Sequence, residues 1–252
     1  MSTCRPMKPR VVVITDRDVK ALFAHEALKK QESVDVDAVF ERVNATPPKQ
    51  ARSLETVNRL LDAAEQLLEE EGLDSATVPA IAKRARVSVG VVYRRFPDKD
   101  TLLRAVWERF LARKREQTQA IISATASLDC SLSDLIRGMI RGTVDAQRKK
   151  RSLLRALLHF SRTHPDPAFK RAAYELNHAN VAAITVLMLK HRDRIEHPNP
   201  EGAIHFALLT VASVIQAVIV EGDSTQVAGL RAPVNLEEEM TRMLFGYLGI
   251  DE

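Results

Sequence analysis

Between Lys83 and Arg104 stand seven basic side chains (Lys83, Arg84, Arg86, Arg94, Arg95, Lys99 and Arg104) against two acidic ones, Asp98 and Asp100. That local excess is the electrostatic footprint of a phosphate-facing surface. The alternative is a solvated face on short helices. The total charge says less, because the formal excess over all 252 residues is only +4. The chemistry implied is recognition of a polyanion rather than catalysis. No Gly-x-Ser-x-Gly elbow, phosphate-cradling glycine loop or dinucleotide fingerprint occurs in the chain.

The second group of candidate residues is a set of histidines. Six of the seven, His159, His164, His178, His191, His197 and His205, fall in the C-terminal half. None pairs with another at the i, i+4 spacing, with a carboxylate beside it, that helical zinc sites use. Neither a metal site nor a catalytic base is expected, and no cofactor. His164 and His197 precede prolines and read as helix-end residues, whereas His159, His178 and His205 are expected to face an interior. Cys4 and Cys130 are isolated, which fits a reducing compartment, and Val11 to Ile14 is too short for an export-signal core.

The elements that must position the basic cluster are helices. Leu54, Val57, Leu61, Ala64 and Leu68 recur at steps of three and four, one face of a 3.6-residue period. Gly72 is placed to end that helix in a left-handed cap. Thr77 caps a second helix with Pro79 in its first turn, and Ser88 caps a third. Only Arg86, Val87 and Ser88 separate these two helices, and so short a link forces a steep crossing. That is the helix-turn-helix geometry, which lowers the second helix into a major groove.

This stretch resembles the TetR family of bacterial transcriptional regulators. The family pattern is carried by Arg52, Leu60-Leu61, Ala63-Ala64, Gly72, Thr77-Val78, Ile81-Ala82, Val87-Ser88, Tyr93, Phe96, Lys99 and Leu102-Leu103. One departure is Arg86, at a turn position where the family usually has glycine. The resemblance implies a non-enzymatic, cytoplasmic, nucleoid-associated regulator, a homodimer on a near-palindromic double-stranded DNA operator. It also implies a repressor released by a small-molecule effector; the alternatives are a constitutive DNA-binding regulator without inducer and an all-α small-molecule-binding protein or enzyme. The expected DNA-binding residues are Thr77, Arg86, Ser88, Val89, Gly90, Tyr93, Arg94, Arg95 and Lys99. The Thr77 and Ser88 hydroxyls lie beside helix N-termini and suit phosphates, as does the Arg86 guanidinium. Val92 is expected to point inward and Val89 outward, toward a thymine methyl. Gly90 permits close backbone approach, Arg94 and Arg95 suit guanine edges or phosphates, and Tyr93 and Lys99 match the family's phosphate contacts.

The rest of the chain reads as helix throughout. Asp98 caps a fourth helix running through Trp107 and Phe110 to about residue 124. Ser131 with Asp134, Asp166-Pro167, Asn199-Pro200 and Asn235 with Glu238 open later helices, and another spans Leu153 to His164. Gly202 to Val220 carries no charged residue, which raises a membrane span. His205, Thr210, Ser213, Gln216 and the alanines favour a core or interface helix instead, and no membrane partner is expected. The expected architecture is all-α: residues 1–51 an extension with a Pro-containing linker, 52–98 a three-helix helix-turn-helix domain, and 99–252 a larger helical ligand-binding and dimerisation domain. In the extension, Thr15 to Lys30 suits a short helix, and Arg5, Lys8 and Arg10 a minor-groove arm. Interior-facing candidates for the effector pocket are Phe110, Met139, Leu157, Phe160, His178, Val181 and Phe206. They suggest a partly hydrophobic small molecule.

Overall fold

The structure is a computed structural model and describes residues 51–126, 131–221 and 235–250. The extension expected at 1–51, with its helices, linker and basic arm, lies almost wholly outside the described residues, as do Cys4 and Cys130. The described residues form helices α1 (Ala51–Glu70), α2 (Val78–Arg84), α3 (Val89–Tyr93), α4 (Lys99–Ala126), α5 (Leu132–Lys149), α6 (Arg151–Thr163), α7 (Pro167–Met188), α8 (Pro200–Ile215) and α9 (Leu236–Leu248). A 3₁₀ segment, Leu189–Arg194, follows α7, and a π-helical turn, Gln216–Glu221, follows α8. There is no strand among the described residues.

Local side-chain chemistry starts these helices. Thr77, Asp98, Ser131, Asp166, Asn199 and Asn235 each accept a backbone N–H from the first turn, at 3.3, 2.7, 3.1, 2.9, 3.1 and 3.4 Å. Each such cap satisfies a donor that the helix leaves orphaned. Hydrogen bonds from Thr101 hold the Asp98 carboxyl below its ordinary value. The cap's contribution is therefore present at neutral pH and lost as pH falls through the lowered value. Three ends close with a left-handed residue and a six-to-one hydrogen bond, the last being Gly249 (φ +65°) after α9, with the Ile250 N–H on the Phe245 carbonyl at 3.0 Å. Gly72 (φ +82°) ends α1, with its N–H on the Leu67 carbonyl at 3.1 Å. Arg86 (φ +57°) ends α2, with the Val87 N–H on the Ala82 carbonyl at 3.0 Å. A non-glycine residue in this region costs about 1–2 kcal/mol.

The apolar residues gather in two clusters. The first holds α1 to α3 together through Val57, Leu61, Leu68, Ile81, Val92 and Phe96, and continues along α4 through Leu102, Val106 and Trp107 to Leu111. It also takes in Leu153, Ala156 and Leu157 of α6 and Phe169 of α7. Packing therefore does not break at residue 98; α4 and α6 belong to the same core as the three-helix unit. Glu69 of α1 reinforces this by accepting the Leu153 N–H in the first turn of α6 at 2.7 Å. The second cluster unites α5, α7, α8 and α9 around Ile136, Ile140, Met188, Ile204, Ile215, Leu244 and Leu248.

Two polar networks fix α4 on both sides. Buried Arg109 reaches Asp62 at 2.8 Å and Glu65 at 2.6 Å on α1, and Arg113 also meets Glu65 at 2.8 Å. At the helix start, Arg104 pairs with Asp100 at 2.9 Å and Asp166 at 3.0 Å. His164 closes α6, as its place before a proline leads one to expect, and is buried within this second network. Its Nδ1 meets the Asp166 N–H at 3.1 Å, and its Nε2 lies 3.0 Å from Asp100 and 3.3 Å from Arg104 Nε. His159 and His178, expected inside, are exposed instead, and His205 is half-buried. Both α6 and α7 turn only part of their surface to the core, and the basic spacing alone does not show which part.

Candidate functional site

The cluster of basic residues sorts into free and committed cations. Arg84 is paired with Glu70 at 2.7 Å and Glu71 at 3.3 Å, closing α2 onto the end of α1. Arg104 is held as described above. Arg95, half-buried, donates to Ser53 Oγ at the start of α1. Lys99 donates to the Leu73 carbonyl at 3.3 Å, so it also steadies the α1–α2 link. Lys83, Arg86 and Arg94 remain exposed, with no side-chain partner among the described residues.

On α3 the side chains divide as the helical spacing predicts. Val92 is fully buried and Val89 is 38% exposed. Gly90, Tyr93 and Arg94 are exposed with it, forming a small outward face. An added Cβ at Gly90 would meet nothing nearer than Ser88 Oγ at 3.9 Å. The fold itself therefore has no need of glycine there. Ser88 occupies the N-cap position of α3 with extended backbone, yet its hydroxyl makes no capping bond. Thr77 uses its oxygen to cap α2 and is exposed. The nine expected DNA-binding residues thus lie along one short run of the fold. Seven of them (Thr77, Arg86, Ser88, Val89, Gly90, Tyr93 and Arg94) are open to solvent, and two (Arg95 and Lys99) hold internal contacts.

Residues 60–106 match the family model described as bacterial regulatory proteins, tetR family. The likeness to the tetR family is carried by this domain. Similar tetR-family relatives include the HTH-type transcriptional regulator BetI of Stenotrophomonas maltophilia, 33% identical over 111 residues, covering 43% of this chain and 55% of BetI. The HTH-type transcriptional regulator UidR of Escherichia coli K12 is 37% identical over 76 residues, 29% of this chain and 39% of UidR. The chain spans about half the length of the curated relatives it matches. The tetR-type fold extends further. Salmonella enterica GusR superposes with a TM-score of 0.55 at 19% identity, over 81% of this chain and all of GusR. A tetR-family regulatory protein from Rhodococcus RHA1 gives 0.56 at 17% identity, over 78% of this chain and 98% of its own.

In the C-terminal part, α4, α5, α6, α7 and α8 enclose a cavity of about 760 Å³. Of the expected pocket residues, Phe110, Met139 and Val181 line it. The other four do not. Leu157 is sealed in the first core and Phe160 packs against it. His178 is exposed, its ring 6.0 Å from that of His205. Phe206, 60% exposed, lies on the outer face of α8 with its ring 5.7 Å from that of Tyr247. Phe206 was expected inside because α8 is apolar on nearly every side, which leaves no periodic signal for the inward face.

Trp107, Lys114, Thr118 and Gln147 also line the cavity. Phe110 is among the expected pocket residues, whereas Trp107, Lys114, Thr118 and Gln147 are not. The signal was present in the sequence: Trp107, Phe110, Lys114 and Thr118 recur at steps of three and four along α4. The buried Trp107 Nε1 and Gln147 Oε1 find no hydrogen-bond partner within the described structure. Each such unmade bond costs about 1–3 kcal/mol. Trp107 also stacks on Phe110 at 5.9 Å and meets Phe169 at the same distance. It belongs at once to the cavity wall and to the core beneath the helix-turn-helix.

Proposed function

We propose that this chain is a sequence-specific transcriptional regulator of the tetR family. It acts as a homodimer on a near-palindromic operator in the cytoplasm and is a repressor released by a small-molecule effector. The observation that carries the DNA-binding part is the outward face of α3, Val89, Gly90, Tyr93 and Arg94, flanked by the uncommitted cations Lys83 and Arg86. The names of BetI and UidR as HTH-type regulators support it. Random-sequence selection should enrich an inverted repeat with half-site centres about one helical turn, roughly 34–36 Å, or slightly more apart. Enrichment of no inverted repeat overturns the reading.

Within this reading Arg94, being uncommitted, reads a base edge, while Arg95 serves through Ser53 to set the pitch of α3 against α1. Arg94→Ala should lose roughly 1–3 kcal/mol of operator binding and relax the preference at one position. Lys99→Ala should weaken all duplexes alike and lower the salt slope by about one. Binding arrays at two salt concentrations separate the two. A shifted preference in Lys99→Ala with none in Arg94→Ala reverses the assignment.

Gly90 gives a sharper test, because protein packing and DNA approach make opposite demands. Gly90→Ala should raise the melting temperature, since alanine is favoured over glycine inside a helix by about 1 kcal/mol. The same methyl group faces outward and should reduce operator affinity. If the variant is stabilised and binds the operator as well as the parent, the backbone of α3 does not approach DNA closely.

Effector response is supported by the course of α4. Its first turns are built into the core of the helix-turn-helix, and from Trp107 onward it walls the cavity. A ligand that moves Trp107 pulls on the core that orients α3. The dimer is supported by α8. By length and composition Pro200–Val218 is apolar enough to cross a membrane. Its buried residues face α5, α7 and α9, while Phe206 and Leu209 remain 60% and 50% exposed beside Tyr247 of α9, 40% exposed. A second copy laid against α8 and α9 covers that face and completes a four-helix interface.

A further inference from the structure

The cavity has a charge pattern of one sign. Among the residues lining it there is no aspartate or glutamate, while Lys114, Arg162 and Lys170 all contribute to its wall or mouth. Arg162 and Lys170 are exposed, and Lys114 lies deeper, half-buried on α4. A smaller cavity of about 390 Å³, lined also by Arg141, Asp145 and Lys149, shares Lys114, Thr118 and Met139 with the larger one, so Lys114 stands at the junction of two chambers and the carboxylate-free wall is that of the larger.

Lys114 also differs from three arginines of its helix. Arg104, Arg109 and Arg113 are each matched to carboxylates at 2.6–3.0 Å. No carboxylate among the described residues forms an ion pair with Lys114, and burial pushes its ammonium below the ordinary lysine value. A buried cation without a partner is costly unless something supplies the opposite charge. On α4, Lys114 sits two helical turns from Trp107, about 10 Å along the axis, and one turn from Thr118, with Phe110 and Leu111 between. Across from this stripe the wall is apolar, with Ile140, Leu158, Val181 and Val211 among its members.

We infer that the cavity takes an amphipathic carboxylate, with its anionic head against Lys114 and its apolar body lying along α4 toward Trp107. The inference rests on the reading of this cavity as the effector site and names the chemical class of that effector. Lys114 supplies the charge-assisted hydrogen bond, while the Thr118 hydroxyl, one turn away, donates to the Lys114 carbonyl at 3.0 Å. The Trp107 Nε1–H, without a partner, suits a ligand with an additional acceptor on its body. The Arg162 and Lys170 side chains at the mouth raise the local concentration of an anion. A quaternary ammonium or protonated amine meets the opposite situation: three cations, and no carboxylate in the wall to receive it. A phosphate dianion needs more donors than a single deep lysine provides.

Trp107 is the only tryptophan of the chain, so its fluorescence reports on the cavity directly. The full-length protein is titrated with decanoate, decanol, decyltrimethylammonium and decyl phosphate, all below their aggregation concentrations, with calorimetry as a second readout. Decanoate should bind at least about tenfold more tightly than decanol, and decyltrimethylammonium should bind worst. In Lys114→Met the decanoate affinity should fall about ten- to a hundredfold, with that for decanol changed little. Lys114→Gln, which keeps a polar end without the charge, should lose the same preference, and circular dichroism verifies both folds. Equal binding of decanoate and decanol, tighter binding of the ammonium or the phosphate, no binding of any probe, or a decanoate preference that survives both substitutions overturns the inference. Operator selection with unliganded parent protein is run in parallel. An enriched inverted repeat with failed decanoate binding sinks only the carboxylate assignment. Decanoate binding without any enriched repeat sinks the regulator reading instead.

Discussion

Leu209→Asp should give a folded monomer that no longer holds its operator. Leu209 is 50% exposed on α8, one turn beyond Phe206, while Ala207, Leu208 and Val211 of the same helix are buried in the second core. The substitution therefore places a carboxylate on the outer face without disturbing the monomer's packing. In a two-fold dimer the same change occurs in both copies, and each buried, unpartnered charge costs several kcal/mol. Operator affinity should then fall toward the non-specific level, roughly a thousandfold or more. Sedimentation velocity gives the oligomeric state, circular dichroism the helix content, and a gel-shift titration the affinity. Val214→Asp provides the contrast. Val214 packs against the second core, so that variant should unfold rather than dissociate. A Leu209→Asp protein that is well folded, still dimeric and still bound to its operator removes the outer face of α8 from the interface.

The contrast between Leu209 and Val214 shows where the sequence could be read and where it could not. Helix starts were legible because capping is local: Thr77, Asp98, Ser131, Asp166, Asn199 and Asn235 bond to an N–H two or three residues away. The inward turn of Val92 was legible for the same reason, since α3 has one polar side and one apolar side. The facing of α8 was not, because an apolar residue at nearly every position carries no period. Phe206 was therefore assigned to the interior although it is exposed. Contacts distant in sequence were equally hidden. Nothing near Arg95 announces Ser53, 42 residues earlier, and nothing near His164 announces Asp100, 64 residues earlier. Lys114 escaped notice in another way. It looks like any surface lysine on a charged helix until the carboxylates that serve its neighbours are seen to bypass it.

Those carboxylates lead to a second large expected effect, a loss of stability. Arg109 is buried on α4, where Asp62 and Glu65 of α1 receive its guanidinium. Arg109→Ala leaves a void between α1 and α4 and two carboxylates deprived of their main partner. Glu65 keeps Arg113 at 2.8 Å, and Asp62 is half in solvent, so part of the penalty is relieved. The expected cost is about 3 kcal/mol, the lower end of the range for breaking a buried pair. For a chain of this size that corresponds to a fall in melting temperature of roughly 6–12 °C. Glu65→Leu should be costly as well, because it strands the guanidinium in an apolar core with Asp62 alone. The double variant Arg109→Met with Glu65→Leu should recover most of the loss, since replacing both partners with apolar groups of similar volume is often close to neutral. A double-mutant cycle from thermal melts measures this coupling, and an Arg109→Ala protein within about 1 kcal/mol of the parent contradicts it. The recovered double variant then asks a functional question. Arg109 lies two residues beyond Trp107, so its clamp is what joins the cavity wall to α1 and, through the shared core, to α3. An apolar contact in its place restores stability but not the fixed geometry of a guanidinium held between two carboxylates. The double variant should therefore fold and bind its operator, yet respond more weakly to a cavity ligand than the parent does.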